Sequence, residues 1–229
     1  MTKSAKIALA MKKLLNGIVE FRHKVLPQYR EKFAKLALGQ NPDTLFITCS
    51  DSRVAPNWFA STDPGDLFVI RNVGNLIPSC GEDGHSIADE SEAAAIEFAI
   101  LKLNVTDIIV CGHSDCGAMH ALLAGREQID APHLRAWLRH GEASLTKLAP
   151  DKPGLSRVNQ LSQLNVLQQL NHLKSYPIVR ERVATNKLKL HGWWFELSAP
   201  NVYSYDETTG KFVVIDEKEA QRISSTLSQ

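Results

Sequence analysis

The chain has 229 residues, 44% of them hydrophobic and 22% charged, which fits one α/β domain with an appendage or at most two small domains. Its 26 basic and 25 acidic residues leave a net charge of +1, so no field is present for capturing nucleic acid or an anionic membrane. No apolar run approaches the roughly 20 residues of a spanning helix, and four cysteines in so long a chain are no disulfide framework.

The first apolar stretch, Ile7 to Met11, is closed by Lys12 and Lys13 and is too short for a signal-peptide core, which predicts a cytoplasmic protein. Ile7, Ala10, Met11, Leu14, Leu15 and Ile18 recur at helical spacing, so residues 1–38 are predicted to form an amphipathic helical arm. A lysine-rich face could lie on a membrane surface; the plainer reading is an arm that packs on its own core or on a second subunit. That divides the chain into a dimerisation arm, 1–38, and a catalytic α/β domain, 39–229.

From Leu45 the pattern changes. Leu45 to Thr48, Leu67 to Ile70 and Asp107 to Cys111 read as short buried strands. Between the last two a helix is predicted from about Ser91 to Leu103, its positive N-terminus suited by Asp89, Glu90 and Glu92. A further helix follows Cys116, and a loop from Ala149 to Gly154 leads to another, marked by Val166, Leu167, Leu170 and Leu173 and stopped by Pro177. Lys189 to Leu197 reads as a strand, and Val202 to Tyr205 with Phe212 to Ile215 as a terminal hairpin. Strands alternating with helices imply a mainly parallel central sheet flanked by helices on both faces.

Chemistry concentrates at two strand ends. Cys49 directly follows one predicted strand and His113 lies two residues beyond another, where catalytic groups of open α/β sheets gather. Cys116 is three residues after His113. A helix starting near Ser114, with Gly112 and Gly117 allowing a tight turn, would aim both side chains at one point. A helix N-terminus there would favour the Cys116 thiolate. Two thiolates and an imidazole suit Zn2+, and three protein ligands leave the fourth tetrahedral position open, the arrangement of catalytic zinc. In an extended segment Cys49, Asp51 and Arg53 would share a side, so that Arg53 keeps Asp51 ionised beside zinc-bound hydroxide. Asp51 would then orient the hydroxide, or rotate to become the fourth ligand and close the site. A structural zinc site completed by Asp51 is the competing reading.

Other residues read more plainly. Cys111 is a core thiol and Cys80 a free thiol in a polar loop. His120 reads as a helix-surface or core histidine rather than one facing the site, His85 as an exposed loop histidine rather than a proton relay, and Trp193 and Trp194 as packing residues.

Cys49-Ser-Asp-Ser-Arg53 together with His113-Ser-Asp-Cys-Gly117 resembles the β-class carbonic anhydrases. Supporting matches are Gly65 to Asn72, Ser91 to Glu97, Ile108 to His113, Asn165-Val-Leu167 and His191-Gly-Trp193, so the resemblance runs from about Gln40 to Trp193. It implies one Zn2+ per subunit and reversible hydration of carbon dioxide to bicarbonate and a proton by attack of zinc-bound hydroxide. It also implies a homodimer or dimer of dimers (a homotetramer), with active sites at subunit interfaces and N-terminal helices embracing a partner. On matching positions Phe68, Val73 and Phe98 would line a narrow apolar pocket, the Gln40 amide would bond a substrate oxygen, and Arg71 would act structurally or as a gate. Phe98 stands where plant-like members carry tyrosine, and Phe46 where bicarbonate-inhibited members carry tryptophan. With Gln40 present the chain resembles the open, plant-like subtype, with water as the fourth ligand near neutral pH. A carbon disulfide or carbonyl sulfide hydrolase on the same scaffold, and a non-catalytic zinc scaffold, are the alternative functions.

Overall fold

The computed structural model describes residues 3–88, 90–149 and 154–227, with side chains described from Leu9 to Ser225. The Ile7 side chain of the predicted stripe, Asp89 of the acidic group and residues 150–153 of the predicted loop lie outside the described residues. The chain divides into two compact units, Met1–Asn41 and Pro42–Gln229.

The first unit is helical: α1 (Lys3–Glu20), a π-helical turn (Phe21–Val25) and α2 (Leu26–Leu36). Pro27, near the start of α2, has no amide hydrogen to continue the ordinary ladder, and the Leu26 amide reaches back five residues to the Phe21 carbonyl. Leu14, Leu15 and Ile18, the apolar stripe read from the sequence, are exposed.

The second unit runs in chain order through β1 (Thr44–Cys49), α3 (Pro56–Phe59), β2 (Leu67–Asn72), α4 (Glu90–Leu101), β3 (Asp107–His113) and α5 (Gly117–Ala124). Then come α6 (Pro132–Leu138), α7 (Glu142–Leu145), α8 (Arg157–Ser175), α9 (Pro177–Ala184), β4 (Lys189–Glu196), β5 (Asn201–Asp206), β6 (Lys211–Val214) and α10 (Glu217–Leu227). The six strands lie in the order β2-β1-β3-β4-β5-β6. The first four are parallel, and β5 and β6 add the antiparallel hairpin. The α/β, mainly parallel architecture expected from the sequence is therefore present.

Strand alternation sorts the core. Leu45, Ile47, Ile108 and Val110 point to one face, where Ile96 and Ile100 of α4, Val166 and Leu173 of α8 and Val179 of α9 cover them. Phe46, Ile109, Cys111 and Phe195 form a separate layer. Phe59 of α3 is the helical residue in that layer among the described residues, so helix cover is less even than the expected two-sided arrangement. Helix α8 lies close on β3 because Gly112 has no side chain; a Cβ there would sit 2.8 Å from Val166 Cγ2. Ser156 caps α8 by accepting the Asn159 amide. Pro177 ends that helical run, as expected, and also opens α9, a place where its missing amide hydrogen is harmless.

Candidate active site

Cys49 and His113 are the last residues of the parallel neighbours β1 and β3, so the sheet itself brings them to one end. The third group arrives by a turn that differs from the expected one. Neither Gly112 nor Gly117 takes a left-handed conformation; Asp115 does, with φ of 52°. Helix α5 starts at Gly117 rather than near Ser114, and Cys116 is its N-cap. The reversal at Asp115, not a shared helix face, turns Cys116 back toward His113. The donor atoms of Cys49, His113 and Cys116 all lie within 4.8 Å of one another, and all three residues are buried.

Donor chemistry in this cluster fits a metal. His113 Nδ1 is 2.8 Å from the Ser114 carbonyl, which fixes that nitrogen as the donor and leaves the Nε2 lone pair free. His113 Nε2 is buried with no hydrogen-bond partner among the described residues, a costly state that a cation relieves. A hydrogen bond from Cys116 holds the Cys49 thiol well below the usual thiol range, with help from His113 and from the Gly74 amide 3.3 Å away. That same bond and burial push the Cys116 thiol up, against the pull of the α5 amides of Met119 and Ala118. One thiolate thus stands ready, and a metal displaces the shared second proton. Two sulfurs and one imidazole nitrogen make a tetrahedral zinc set lacking one ligand.

Backbone contacts hold this floor in place. Gly74, at φ 86°, can present its amide to Cys49 because it has no Cβ, which would lie 2.8 Å from Ala118 Cβ. The Gly74 carbonyl takes the Asn165 side-chain amide at 3.0 Å. Asn165 in turn accepts from Gln169, which also donates to the His140 carbonyl. The Asn165 motif singled out in the sequence thus buttresses the loop that touches a ligand sulfur.

At the rim, residues 51–54 form a turn rather than an extended segment, with the Val54 amide on the Asp51 carbonyl at 3.0 Å. The turn folds the Arg53 guanidinium onto its neighbour. Arg53 Nε donates to Asp51 Oδ1 at 2.9 Å and Nη2 to Oδ2 at 2.8 Å, a two-pronged pair. Hydrogen bonding by Arg53 holds the Asp51 carboxyl well below the usual carboxylate range. Asp51 Oδ2 lies 3.9 Å from His113 Nε2. Arg71 donates to the carbonyls of Cys49 and Asp51, shaping the segment between them.

The remaining sequence-predicted residues divide. Val73 is 43% exposed, and its carbonyl accepts from Trp137 Nε1 at 2.8 Å. Phe68 and Phe98 stack on each other, with ring centroids 5.8 Å apart. Phe68 is paired with Leu45, four residues before Cys49, which puts it about 13 Å down the strand from the ligands. Gln40 is an exposed residue of the first unit. Phe46 is buried against Phe59 and Trp193. Cys111 is a buried thiol raised by burial, Cys80 is free, and His85 is exposed. His120 is exposed yet bound to Asp115. Sequence reasoning missed Asp115, Gly74 and Trp137, whose roles come from contacts 25 to 64 residues away along the chain.

A family-wide sequence profile described as carbonic anhydrase matches residues 44–202. A carbonic anhydrase of Synechococcus elongatus is 42% identical over 217 residues, covering 90% of this chain and 76% of the relative. The solved β-carbonic anhydrase CcaA is 39% identical and superposes with a TM-score of 0.83 over 90% of this chain and 99% of its own. The chain belongs to the β-class carbonic anhydrases. One of two tetrameric members solved from Sordaria macrospora is 30% identical, with a TM-score of 0.66 over 89% of this chain and 97% of its own. The cluster of Cys49, His113 and Cys116 is this carbonic anhydrase's zinc site, and the enzyme interconverts carbon dioxide and bicarbonate. Among the described residues no helix is long and apolar enough to cross a membrane.

Proposed function

We propose that this carbonic anhydrase works in the open, plant-like form, with Asp51 as the residue that orients the nucleophile and Arg53 as its support. The observation that carries the reading is the double hydrogen bond from Arg53, which engages both Asp51 oxygens and leaves Oδ2 beside the ligand set, 3.9 Å from His113 Nε2, rather than within it. When bound, Zn2+ supplies Lewis acidity that brings the pKa of water from about 15.7 toward about 7.

The chain's own groups do the rest. An ionised Asp51 can only accept, so it would accept a hydrogen bond from the attacking oxygen, which keeps its hydrogen, and leave a lone pair aimed at carbon dioxide. Arg53 keeps Asp51 charged and in place. Val73, Phe68 and Phe98 supply apolar walls for a substrate without net dipole, and the Gln40 amide donates to a bicarbonate oxygen. The separation of Phe68 from the ligands within one chain favours a pocket completed by a second copy. That agrees with residues 1–38 acting as a dimerisation arm for the catalytic domain 39–229, and with a dimer or dimer of dimers like the tetrameric relatives. Phe46, a buried phenylalanine, brings no indole donor of its own for an inhibitory bicarbonate. Free thiols suit a reducing, cytoplasmic setting.

The test is stopped-flow carbon dioxide hydration from acid to alkaline pH on the wild type and Asp51→Asn, with zinc-edge X-ray absorption near pH 8. An active wild type whose zinc shell holds two sulfurs, one nitrogen and a solvent oxygen supports the open form. A carboxylate in that shell at pH 8, or equal activity in Asp51→Asn, overturns it.

A further inference from the structure

The Arg53 guanidinium does not serve Asp51 alone. Its Nη1 donates to Asp115 Oδ2 at 3.2 Å, and its Nη2 donates to the Asp115 carbonyl at 3.0 Å. We propose that Asp115 is a positioning residue for the reaction: it anchors Arg53 and so keeps both Asp51 oxygens bonded to Arg53, with Oδ2 beside the metal ligands at 3.9 Å from His113 Nε2 rather than among them. This rests on the open reading of the site and adds the residue that maintains it.

Three features carry the argument. The first is location. Asp115 lies between His113 and Cys116, on the turn that sets both ligands, so an anchor there ties Asp51 to the same frame as the zinc site. Within their own turn, Asp51 meets Arg53 through the guanidinium and through the Arg53 amide, which donates to Oδ1 at 2.9 Å. A contact of this kind fixes partners only relative to each other; the Asp115 carboxylate ties the half-exposed guanidinium to the ligand-bearing segment.

The second is how firmly Asp115 itself is held. Its amide donates to Asn159 Oδ1 at 2.8 Å at the start of α8, and its Oδ1 lies 2.7 Å from His120 Nε2 on α5. Oδ2 is left for Arg53. Two helices therefore brace the residue that braces Arg53.

The third is residue choice. Asp115 adopts φ of 52°, a conformation that glycine accepts without strain and that side chains enter at a cost. The side chain there has a use that glycine lacks. Stability is not that use, because Arg53 and Asp115 are 48% and 61% exposed at their side chains, and such pairs add little to folding.

The experiment compares wild type, Asp115→Gly, Arg53→Ala and the double variant, each loaded with one zinc or one cobalt ion per chain. Asp115→Gly suits the backbone and should fold. Its kcat should fall about 5- to 10-fold with KM within about twofold, the signature of lost orientation rather than lost binding. The visible spectrum of cobalt-loaded Asp115→Gly should shift as Asp51 reaches the metal, and Asp51→Asn in the same chain should abolish the shift. In the Arg53→Ala background, Asp115→Gly should change neither readout further, because Asp115 acts through Arg53. An equal loss in both backgrounds, or an unchanged kcat and spectrum in Asp115→Gly, overturns the proposal. Zinc-edge X-ray absorption of the wild type near pH 8 separates the two failures. If a carboxylate is already in its zinc shell, the open reading falls together with this one. If that shell holds two sulfurs, one nitrogen and a solvent oxygen, a silent Asp115→Gly overturns the positioning role alone.

Discussion

The zinc site has a buried floor and an exposed rim, and the two are ordered by different means. Cys49, His113 and Cys116 are buried, and their positions follow from strand ends, a helix cap and backbone partners such as the Gly74 amide and the Ser114 carbonyl. Asp51, Arg53, Asp115 and His120 hold one another mainly through side chains, several of them half in solvent. The floor is therefore coupled to folding: moving it means moving the sheet or α8. The rim is adjustable, since its charge-assisted hydrogen bonds set direction while adding little to stability.

Substitutions that respect or violate this division can break it. The largest effect is expected at the floor. Cys49→Ser or His113→Ala should reduce bound zinc from about one per chain to near none, by elemental analysis, and abolish hydration. Asp51→Asn comes next and should cut kcat by about 100-fold or more with zinc retained. If the zinc is lost as well, rim and floor are not separable.

Stability measurements sharpen the contrast. Gly112→Ala forces a Cβ to 2.8 Å from Val166 Cγ2 and should cost about 1–3 kcal/mol in urea unfolding. His140, in the network beneath Gly74, is lowered to about 4 by burial, with the Arg139 and His172 charges adding to it. The folded protein keeps this histidine neutral, while the unfolded chain protonates it near its ordinary 6.5. Its contribution is thus present above about pH 6.5 and is lost as pH falls toward about 4. Between pH 7 and pH 5 this amounts to about 2 kcal/mol, and His140→Gln should flatten that part of the stability profile. The smallest change belongs to the rim: Arg53→Ala should alter unfolding free energy by no more than about 1 kcal/mol while hydration drops. A larger loss would show that the rim also carries the fold.

Much of this was readable in advance where the signal was local. The strands β1 to β4 announced themselves as short apolar runs, and α4 and α8 through periodic apolar residues long enough to show a stripe. Helices α3, α6, α7 and α9 went unread because four to eight residues show no period, and α10 because its apolar residues are few. The turn before Cys116 was assigned to its glycines, yet an aspartate makes it, at φ of 52°, with its carboxylate meeting Arg53 and His120. The extended reading of residues 49–53 failed for a related reason, because the Val54 amide closes a turn at Asp51.

By itself the sequence determined the ligands and the chemistry they permit. Thiolate sulfur and imidazole nitrogen are zinc donors wherever they occur, and neighbouring strands of a parallel sheet end on the same side. Only the tertiary structure decided which way Asp51 faces and what keeps it there. That orientation comes from one guanidinium shared between carboxylates 64 residues apart, just as Cys49 is met by a glycine amide whose carbonyl is held by Asn165 of α8. Such contacts have no sequence period, because they depend on how the segments pack rather than on what each segment contains.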